Sequence, residues 1–82
     1  MTDPIQEADI VCIDAVGLLC PLPILRFKKR TSDLPAGSLV DLLTDDPTGR
    51  TDLESLCSIA GHQLIESVEQ DQGVIRYRVR LA

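Results

Sequence analysis

One of the three cysteines in this chain stands in an unusual local sequence. Cys20 is followed directly by Pro21 and, after Leu22, by Pro23. A proline in a helix interior costs about 3 kcal/mol, whereas in the first turn it is tolerated. Because Pro21 also disfavours helical geometry at the residue before it, the pattern places Cys20 at the N-cap of a helix.

A thiol at a helix N-terminus is suited to nucleophilic chemistry. In the predicted first turn, residues 21–24, only Leu22 and Ile24 have an amide hydrogen, and both would lie near the sulfur at the positive end of the helix dipole. Such a setting lowers the pKa of a cysteine from about 8.5 toward about 3.5 to 7.5 and favours the attacking thiolate. Two interpretations stay open: a reactive Cys20, and a Cys20 that only fills space in the core.

The other candidate groups give weaker signals. Cys57 falls on the apolar stripe of a predicted helix and Cys12 within a predicted strand, so both are expected in the core. His62 follows a helix-ending glycine and is expected to cap that helix or to lie on the surface, which leaves a Cys-His pair with Cys20 poorly supported. The spacings match no metal site and contain no Cys-x-x-Cys pair.

Strands and helices alternate along the chain and must position these groups. Short apolar runs predict strands, and a period of 3.6 residues predicts helices; the second helix has a capping box, Thr51 and Glu54, at its start and Gly61 at its end. Asp45 and Asp46 precede this helix and are expected to lie in a solvated turn. The alternative is that the two carboxyl groups form an acid pair. The predicted strands are Ile10–Asp14, Ser38–Thr44, Gln63–Glu69 and Ile75–Leu81, and the first helix is Pro21 to about Thr31.

The order β-α-β-α-β-β predicts an α/β two-layer sandwich with a four-stranded mixed sheet. A four-residue turn, Gln70–Gly73, predicts that the last two strands form an antiparallel hairpin. Arginines alternate with apolar residues in the last strand, so one face of the sheet meets water and both helices lie on the other face. The chain, residues 1–82, is expected to form a single domain. The strand order stays open.

Charge and hydropathy argue against two classes of function. Eight basic residues against thirteen acidic ones give a net charge of −5, the wrong sign for a protein that binds nucleic acid mainly through phosphates. The longest uncharged run, residues 15–25, contains both prolines and is shorter than the roughly 18 residues of a membrane span. An odd number of cysteines without a secretory leader indicates free thiols in a reducing cytoplasm. We expect a monomer.

Half of the basic residues lie in one short segment, at Arg26, Lys28, Lys29 and Arg30. This segment, called the basic cluster below, has two interpretations. It is either a docking surface for an acidic partner or a solvated helix face whose cations complement the C-terminal end of the helix dipole.

The segment from Asp14 to Pro23, DAVGLLCPLP, resembles the D-x-x-G-x-x-C-P-x-P signature of the TusA (SirA-like) sulfur carrier family. The likeness covers nearly the whole chain, with further matching positions at Gly37, Asp45, Asp46, Pro47, Asp52, Cys57, Gly61 and His62. The resemblance implies a two-layer α/β sandwich in which Cys20 receives a sulfane sulfur as a persulfide and passes it on. The residues expected to shape this site are Gly17, Pro21, Leu22, Pro23 and Ile24.

The resemblance also implies the kinds of partner and reaction. A cysteine desulfurase or a rhodanese-type sulfurtransferase would supply the sulfur, and a further protein would accept it, for tRNA thiolation, molybdenum cofactor synthesis or oxidative sulfur metabolism. The chain would then be a substrate of enzymes more than an enzyme, with no metal and no cofactor apart from the transient persulfide sulfur. Two alternatives stay open: a non-catalytic interaction or regulatory domain, and a thiol redox sensor.

Overall fold

The computed structural model describes residues 10–82 and shows two helices packed on a four-stranded sheet. The predicted two-layer α/β fold and element order are confirmed, and the boundaries agree within one residue except at the start of the second helix. The N-terminal stretch, residues 1–9, on which the expectation of no secretory leader rests, lies outside the described residues. The elements are β1 (Val11–Asp14), α1 (Leu22–Thr31), β2 (Leu39–Thr44), α2 (Gly49–Ala60), β3 (Gln63–Glu69) and β4 (Ile75–Arg80).

The sheet is mixed, with the strand order β1-β2-β4-β3. β1 and β2 are parallel, whereas β4 pairs antiparallel with both β2 and β3. The predicted hairpin is therefore confirmed, and the C-terminal strand lies inside the sheet. Because β1 and β2 run in the same direction, the loops that follow them leave the sheet at the same edge. These two loops carry the residues of the candidate site.

The core lies between the sheet and the two helices. Phe27 from α1 and Leu53 from α2 are fully buried against the strands, and Cys57 is 5% exposed, so its predicted place in the core is confirmed. Burying one such large apolar side chain contributes about 1.5 to 3 kcal/mol. The strand residues that complete this core are Ile13, Val40, Leu42, Tyr77 and Val79.

The opposite face of the sheet carries ion pairs around Asp41. The guanidinium of Arg78 donates to both Asp41 oxygens, at 2.8 and 3.0 Å, and Arg76 joins Asp41 to Glu66. Cys12 lies on this face opposite Asp41 and is exposed, so its predicted place in the core is wrong. Because Ile10 to Ile13 are all apolar, the sequence does not show the alternation of this edge strand, in which Ile13 is the only buried residue.

The second helix begins earlier than predicted. α2 starts at Gly49 with Thr48 as its N-cap residue, so the predicted capping box of Thr51 and Glu54 is wrong. Glu54 instead pairs with Arg50 one turn earlier, at 3.2 Å. The predicted end is confirmed: Gly61 has a φ of 80° and donates its N–H to a carbonyl of the last turn, a left-handed geometry that glycine adopts readily.

No helix within residues 10–82 combines the length and the apolar character needed to cross a membrane.

Candidate functional site

Cys20 lies in the loop between β1 and α1, and its side chain is exposed. Its backbone N–H donates to Asp46 Oδ2 at 2.7 Å. Asp46 follows β2, 26 positions along the chain, and comes within reach because β1 and β2 are parallel neighbours. A thiol that reaches solvent while its backbone is held by a carboxylate is accessible to a reaction partner without needing the loop to open.

Two carboxylates of the β2–α2 loop hold the cysteine loop in place. Asp45 accepts a hydrogen bond from the backbone N–H of Gly17 at 2.9 Å. Gly17 has a φ of 87°, in the left-handed region that glycine adopts readily. Asp46 is buried and accepts from the backbone and the hydroxyl of Thr48, both at 3.0 Å. These bonds to Thr48, together with the one from Cys20, lower the pKa of Asp46 and keep it ionised. The expectation that residues 45 and 46 form only a solvated turn is therefore wrong.

The helix start differs from the predicted one in two respects. The N-cap residue is Pro21, one position later than predicted, and the Cys20–Pro21 peptide bond is cis. The amide of Leu22 donates to the carbonyl of Leu19 at 2.8 Å, so it does not serve the sulfur as an anion-stabilising donor. Pro23 is buried in the first turn, where it needs no amide hydrogen.

The electrostatics around the thiol are also opposite to the predicted ones. Asp52, from the first turn of α2, is a hydrogen-bond partner of the Cys20 thiol and raises its pKa, first by that hydrogen bond and then, after the effect of desolvation, by charge repulsion. Asp46 adds to the repulsion, and Thr48 acts weakly in the opposite direction. The predicted lowering of the Cys20 pKa is therefore wrong: Asp52 of α2, desolvation and Asp46 of the preceding loop raise it.

A shallow groove of about 300 Å³ runs from the sulfur between the two helices. α1 contributes Ile24 and Lys28 to it, and α2 contributes Asp52 at one end and Ile59, which is 86% exposed, at the other. The groove thus combines an apolar lining with one cation and one carboxylate. The predicted site residue Ile24 belongs to it, half-buried beside Cys20 and Pro21.

The outward side of α1 and the loop before it form a second surface next to the cysteine. Leu19, Leu22 and Leu25 are 67%, 50% and 52% exposed, a large apolar area for a chain of this size. Three members of the basic cluster border it, and one of them, Arg26, donates to the carbonyl of Asp14 at 2.8 Å. We call this apolar surface, with its border of Arg26, Lys29 and Arg30, the leucine face. Lys28 points instead to the groove.

The other candidate groups do not join this site. His62 accepts the backbone N–H of Ala82 through Nδ1 at 3.0 Å and packs edge-on against Phe27, as a residue that ties the C-terminus to the core. Within residues 10–82, no group of three or more histidine, cysteine, aspartate or glutamate side chains is arranged to hold a metal ion.

Sequence reasoning predicted no contact between the Cys20 loop and Asp45, Asp46, Thr48 or Asp52. The signal that points to them is topological: the first crossover joins parallel strands, and residues after the carboxyl ends of parallel strands gather at one edge of a sheet. The loop after Thr44 is rich in side chains that accept hydrogen bonds, so it is the expected source of partners for an exposed loop after Asp14.

The two-layer α/β sandwich described above matches the fold of a solved SirA-like protein. The chain superimposes on the crystal structure of a SirA-like protein from Desulfitobacterium hafniense with a TM-score of 0.76 and 37% sequence identity. The match covers 85% of this chain and 95% of that one.

Sequence comparison gives the same result at finer resolution. The family model described as sulfurtransferase TusA matches residues 12–81. The sulfur carrier protein TusA of Pseudomonas syringae pv. syringae is 35% identical over 81 residues, which is 98% of this chain and 95% of that protein. The corresponding protein of Pseudomonas putida strain F1 is 34% identical over 80 residues, with the same coverage. The chain belongs to the TusA family of sulfur carrier proteins.

Proposed function

We propose that this protein accepts a sulfane sulfur as a persulfide on Cys20 and relays it to a downstream acceptor by direct protein contact. The observation that carries the proposal is the exposed Cys20 thiol, held by its backbone at the edge where two parallel strands end and bordered by exposed leucines. A group that must be handed from one protein to another needs both solvent access and an apolar surface around it.

The proposed chemistry is a sulfur exchange in two steps. The Cys20 sulfur attacks the outer sulfur of a donor persulfide R–S–SH; the new S–S bond forms as the donor S–S bond breaks, and the donor leaves as a thiol that takes up the proton of Cys20. The products are R–SH and Cys20–S–SH, with atoms and charge conserved. In the second step an acceptor nucleophile attacks the outer sulfur, and Cys20 leaves as the thiolate.

The leucine face is the proposed docking surface for the donor and the acceptor. Its leucines supply apolar contact next to the sulfur, and its basic border orients a partner with acidic groups at the matching distance. A cysteine desulfurase or a rhodanese-type sulfurtransferase in the cytoplasm is the proposed class of donor. The proposed uses of the sulfur are tRNA thiolation, molybdenum cofactor synthesis and oxidative sulfur metabolism.

A two-stage transfer assay tests this proposal. Purified protein is incubated with a cysteine desulfurase and cysteine carrying radioactive sulfur, separated from the donor under non-reducing conditions, and then offered to a small thiol acceptor. The wild type is expected to carry label and to release it as sulfide, whereas Cys20→Ser folds normally and carries none. A redox sensor would form a mixed disulfide with the labelled cysteine, and the thiol acceptor would then release labelled cysteine and no labelled sulfide. A purely structural Cys20 would leave labelling unchanged in Cys20→Ser. Either result overturns the proposal.

A further inference from the structure

The acidic surroundings of Cys20 play no part in the exchange reaction described above. A carrier thiol that has to attack a persulfide gains from being a thiolate, yet two carboxylates approach it and one cation faces it. Asp46 comes from the β2–α2 loop, Asp52 from α2, and Lys28 from α1. These are the charged groups that the elements packed around the sulfur present to it among the described residues. Acidic groups therefore outnumber basic ones around the thiol.

Asp52 is held in this position by the start of α2. It lies four residues after Thr48, whose hydroxyl is 3.4 Å from Asp52 Oδ2 and 3.0 Å from Asp46 Oδ1. The hydroxyl thus connects the carboxylate that binds the Cys20 backbone to the carboxylate that faces the Cys20 thiol. Both Cys20 and Asp52 line the groove between the helices, and Asp52 is half-buried there. The placement is built from several contacts and does not depend on one flexible side chain.

We propose that Asp52 is a positioning residue that restrains Cys20: its carboxylate accepts the thiol hydrogen, holds the sulfur at the edge of the groove and keeps it neutral until Asp52 is neutralised or screened. The inference rests on the proposed function, since it describes how the carrier thiol is controlled between transfers. The thiolate is the nucleophile, and a hydrogen bond from the neutral thiol together with repulsion of its anion disfavours the thiolate. The restrained carrier therefore reacts slowly with small electrophiles and oxidants.

The test is the pH dependence of alkylation of Cys20. All variants carry Cys12→Ser, because Cys12 is also exposed, and iodoacetamide incorporation is followed by intact mass and peptide mapping between pH 6 and 10. Asp52→Asn is expected to move the half-maximal rate to lower pH and to raise the rate at pH 7 by roughly two- to tenfold, the gain in thiolate being partly offset by its weaker nucleophilicity.

Two matched variants separate restraint from a general effect of charge or structure. Asp52→Glu keeps the carboxylate and is expected to keep most of the wild-type profile. Glu54→Gln removes one negative charge from an exposed position on the same helix, where Glu54 pairs with Arg50, and is expected to leave the profile unchanged. If Asp52→Asn superimposes on the wild type, or if Glu54→Gln moves the profile equally, the proposal is wrong.

A measurement without substitution at Asp52 covers the case in which Asp52→Asn does not fold. Raising the salt concentration from about 10 mM to about 1 M shortens the screening length from about 30 to about 3 Å, so the alkylation profile of the Cys12→Ser protein is expected to move to lower pH. A profile that stays in place or moves to higher pH contradicts the restraint. Neither readout involves sulfur transfer: loss of the proposed function would show as absent labelling in the transfer assay, with the alkylation profiles unaffected.

Discussion

A single carboxylate, that of Asp46, joins the backbone of Cys20 to the start of α2. One oxygen accepts from the Cys20 amide and the other from Thr48, and the amide of Asp46 itself donates to Thr44 Oγ1 at 3.1 Å. Because these bonds satisfy both oxygens of a buried carboxylate, the backbone of Cys20 itself is held by an ionised residue.

Asp46→Asn is expected to reduce the free energy of unfolding at neutral pH, by an amount that shrinks in acid. The hydrogen bonds from Thr48 first, and then from Cys20, hold the pKa of Asp46 below its ordinary value of 3.8. A depressed carboxylate contributes stability that is complete above that value and is lost as the pH falls through the lower, folded-state pKa.

Urea unfolding of the wild type and Asp46→Asn between pH 6 and pH 2 measures this effect. The difference in free energy of unfolding between the two proteins should become smaller below about pH 4. Asp45→Asn, which removes the charge from the acceptor of an exposed hydrogen bond from Gly17, serves as the control and should show a smaller difference. A difference for Asp46→Asn that stays constant down to pH 2 would rule out an ionised Asp46 as its source.

The position of Cys20 was predictable from sequence, but its electrostatics were not. Pro21 and Pro23 mark a helix start within a few residues, so local rules place the cysteine before that helix. Those rules count only the dipole of the helix beside it. Asp46 and Asp52 approach from another element, 26 and 32 positions away, and their effect on the thiol depends on the pairing of β1 with β2.

The start of α2 packs closely against the end of β2, so that one added methyl group at Gly49 is expected to disturb the packing. A Cβ added to Gly49 would meet Thr44 Cγ2 at 2.9 Å, and Thr44 is fully buried. Thr44 in turn binds the amide of Asp46. Close approach of the helix start to the strand end is therefore part of what holds the Cys20 loop.

Gly49→Ala is expected to destabilise the protein by about 1 to 3 kcal/mol, the usual cost of forcing an extra methyl group into a packed site. Ser58→Ala, on the exposed side of the same helix, is the control and should change stability by less than about 0.5 kcal/mol. The measurement is the midpoint of thermal or urea unfolding. Equal stability of the two variants would show that Thr44 moves aside at no cost.

The ion pairs on the open face of the sheet differ in burial, and this difference predicts unequal contributions to stability. Arg76 touches both Asp41, which is buried at 8% exposure, and Glu66, which is exposed. Asp41→Ala removes a charge-assisted pair from Arg78 as well and is expected to cost about 1.5 to 3 kcal/mol. Glu66→Ala removes an exposed pair, so about 0 to 1 kcal/mol is expected in the same urea titration. Equal losses of stability in Asp41→Ala and Glu66→Ala would show that burial does not determine how much these ion pairs contribute.

The sheet and helix pattern was more predictable than the ends of its elements. Alternation in β4 correctly predicted that Tyr77 and Val79 face the core and the arginines face away. In β1 the apolar run is continuous and shows no alternation, so Cys12 was predicted on the wrong face of the sheet. The start of α2 was missed because Thr51 and Glu54 match a capping box in sequence, whereas Thr48 is already fixed by its bonds to Asp46.

Over the whole molecule, the distribution of charge is uneven. The net charge is −5, yet the four residues of the basic cluster are exposed on α1, next to the groove and the leucine face. A partner with acidic groups would be repelled by most of this surface and attracted to α1. The charge distribution therefore favours one orientation of docking, with Cys20 at the interface.

Reversal of three charges tests this orientation. Changing Lys28, Lys29 and Arg30 together to Glu is expected to reduce the rate of sulfur transfer from a donor protein at least about tenfold at low salt, with less effect at high salt. Arg80→Glu, on the open face of the sheet, should leave the rate nearly unchanged. The rates are measured with the labelled transfer assay, alongside thermal unfolding to confirm that each variant is folded. An unchanged rate in the triple variant would exclude the basic cluster from docking.

We propose Cys20, and neither of the other cysteines, as the residue that carries the sulfur. The most direct measurement is the intact mass, after incubation with a sulfur donor, of two complementary variants: Cys12→Ser with Cys57→Ala, which keeps only Cys20, and Cys20→Ser, which keeps the other two. We predict one added sulfur atom on the first, removed by dithiothreitol, and none on the second. Sulfur on Cys20→Ser, or none on the variant that keeps Cys20, would contradict the proposal.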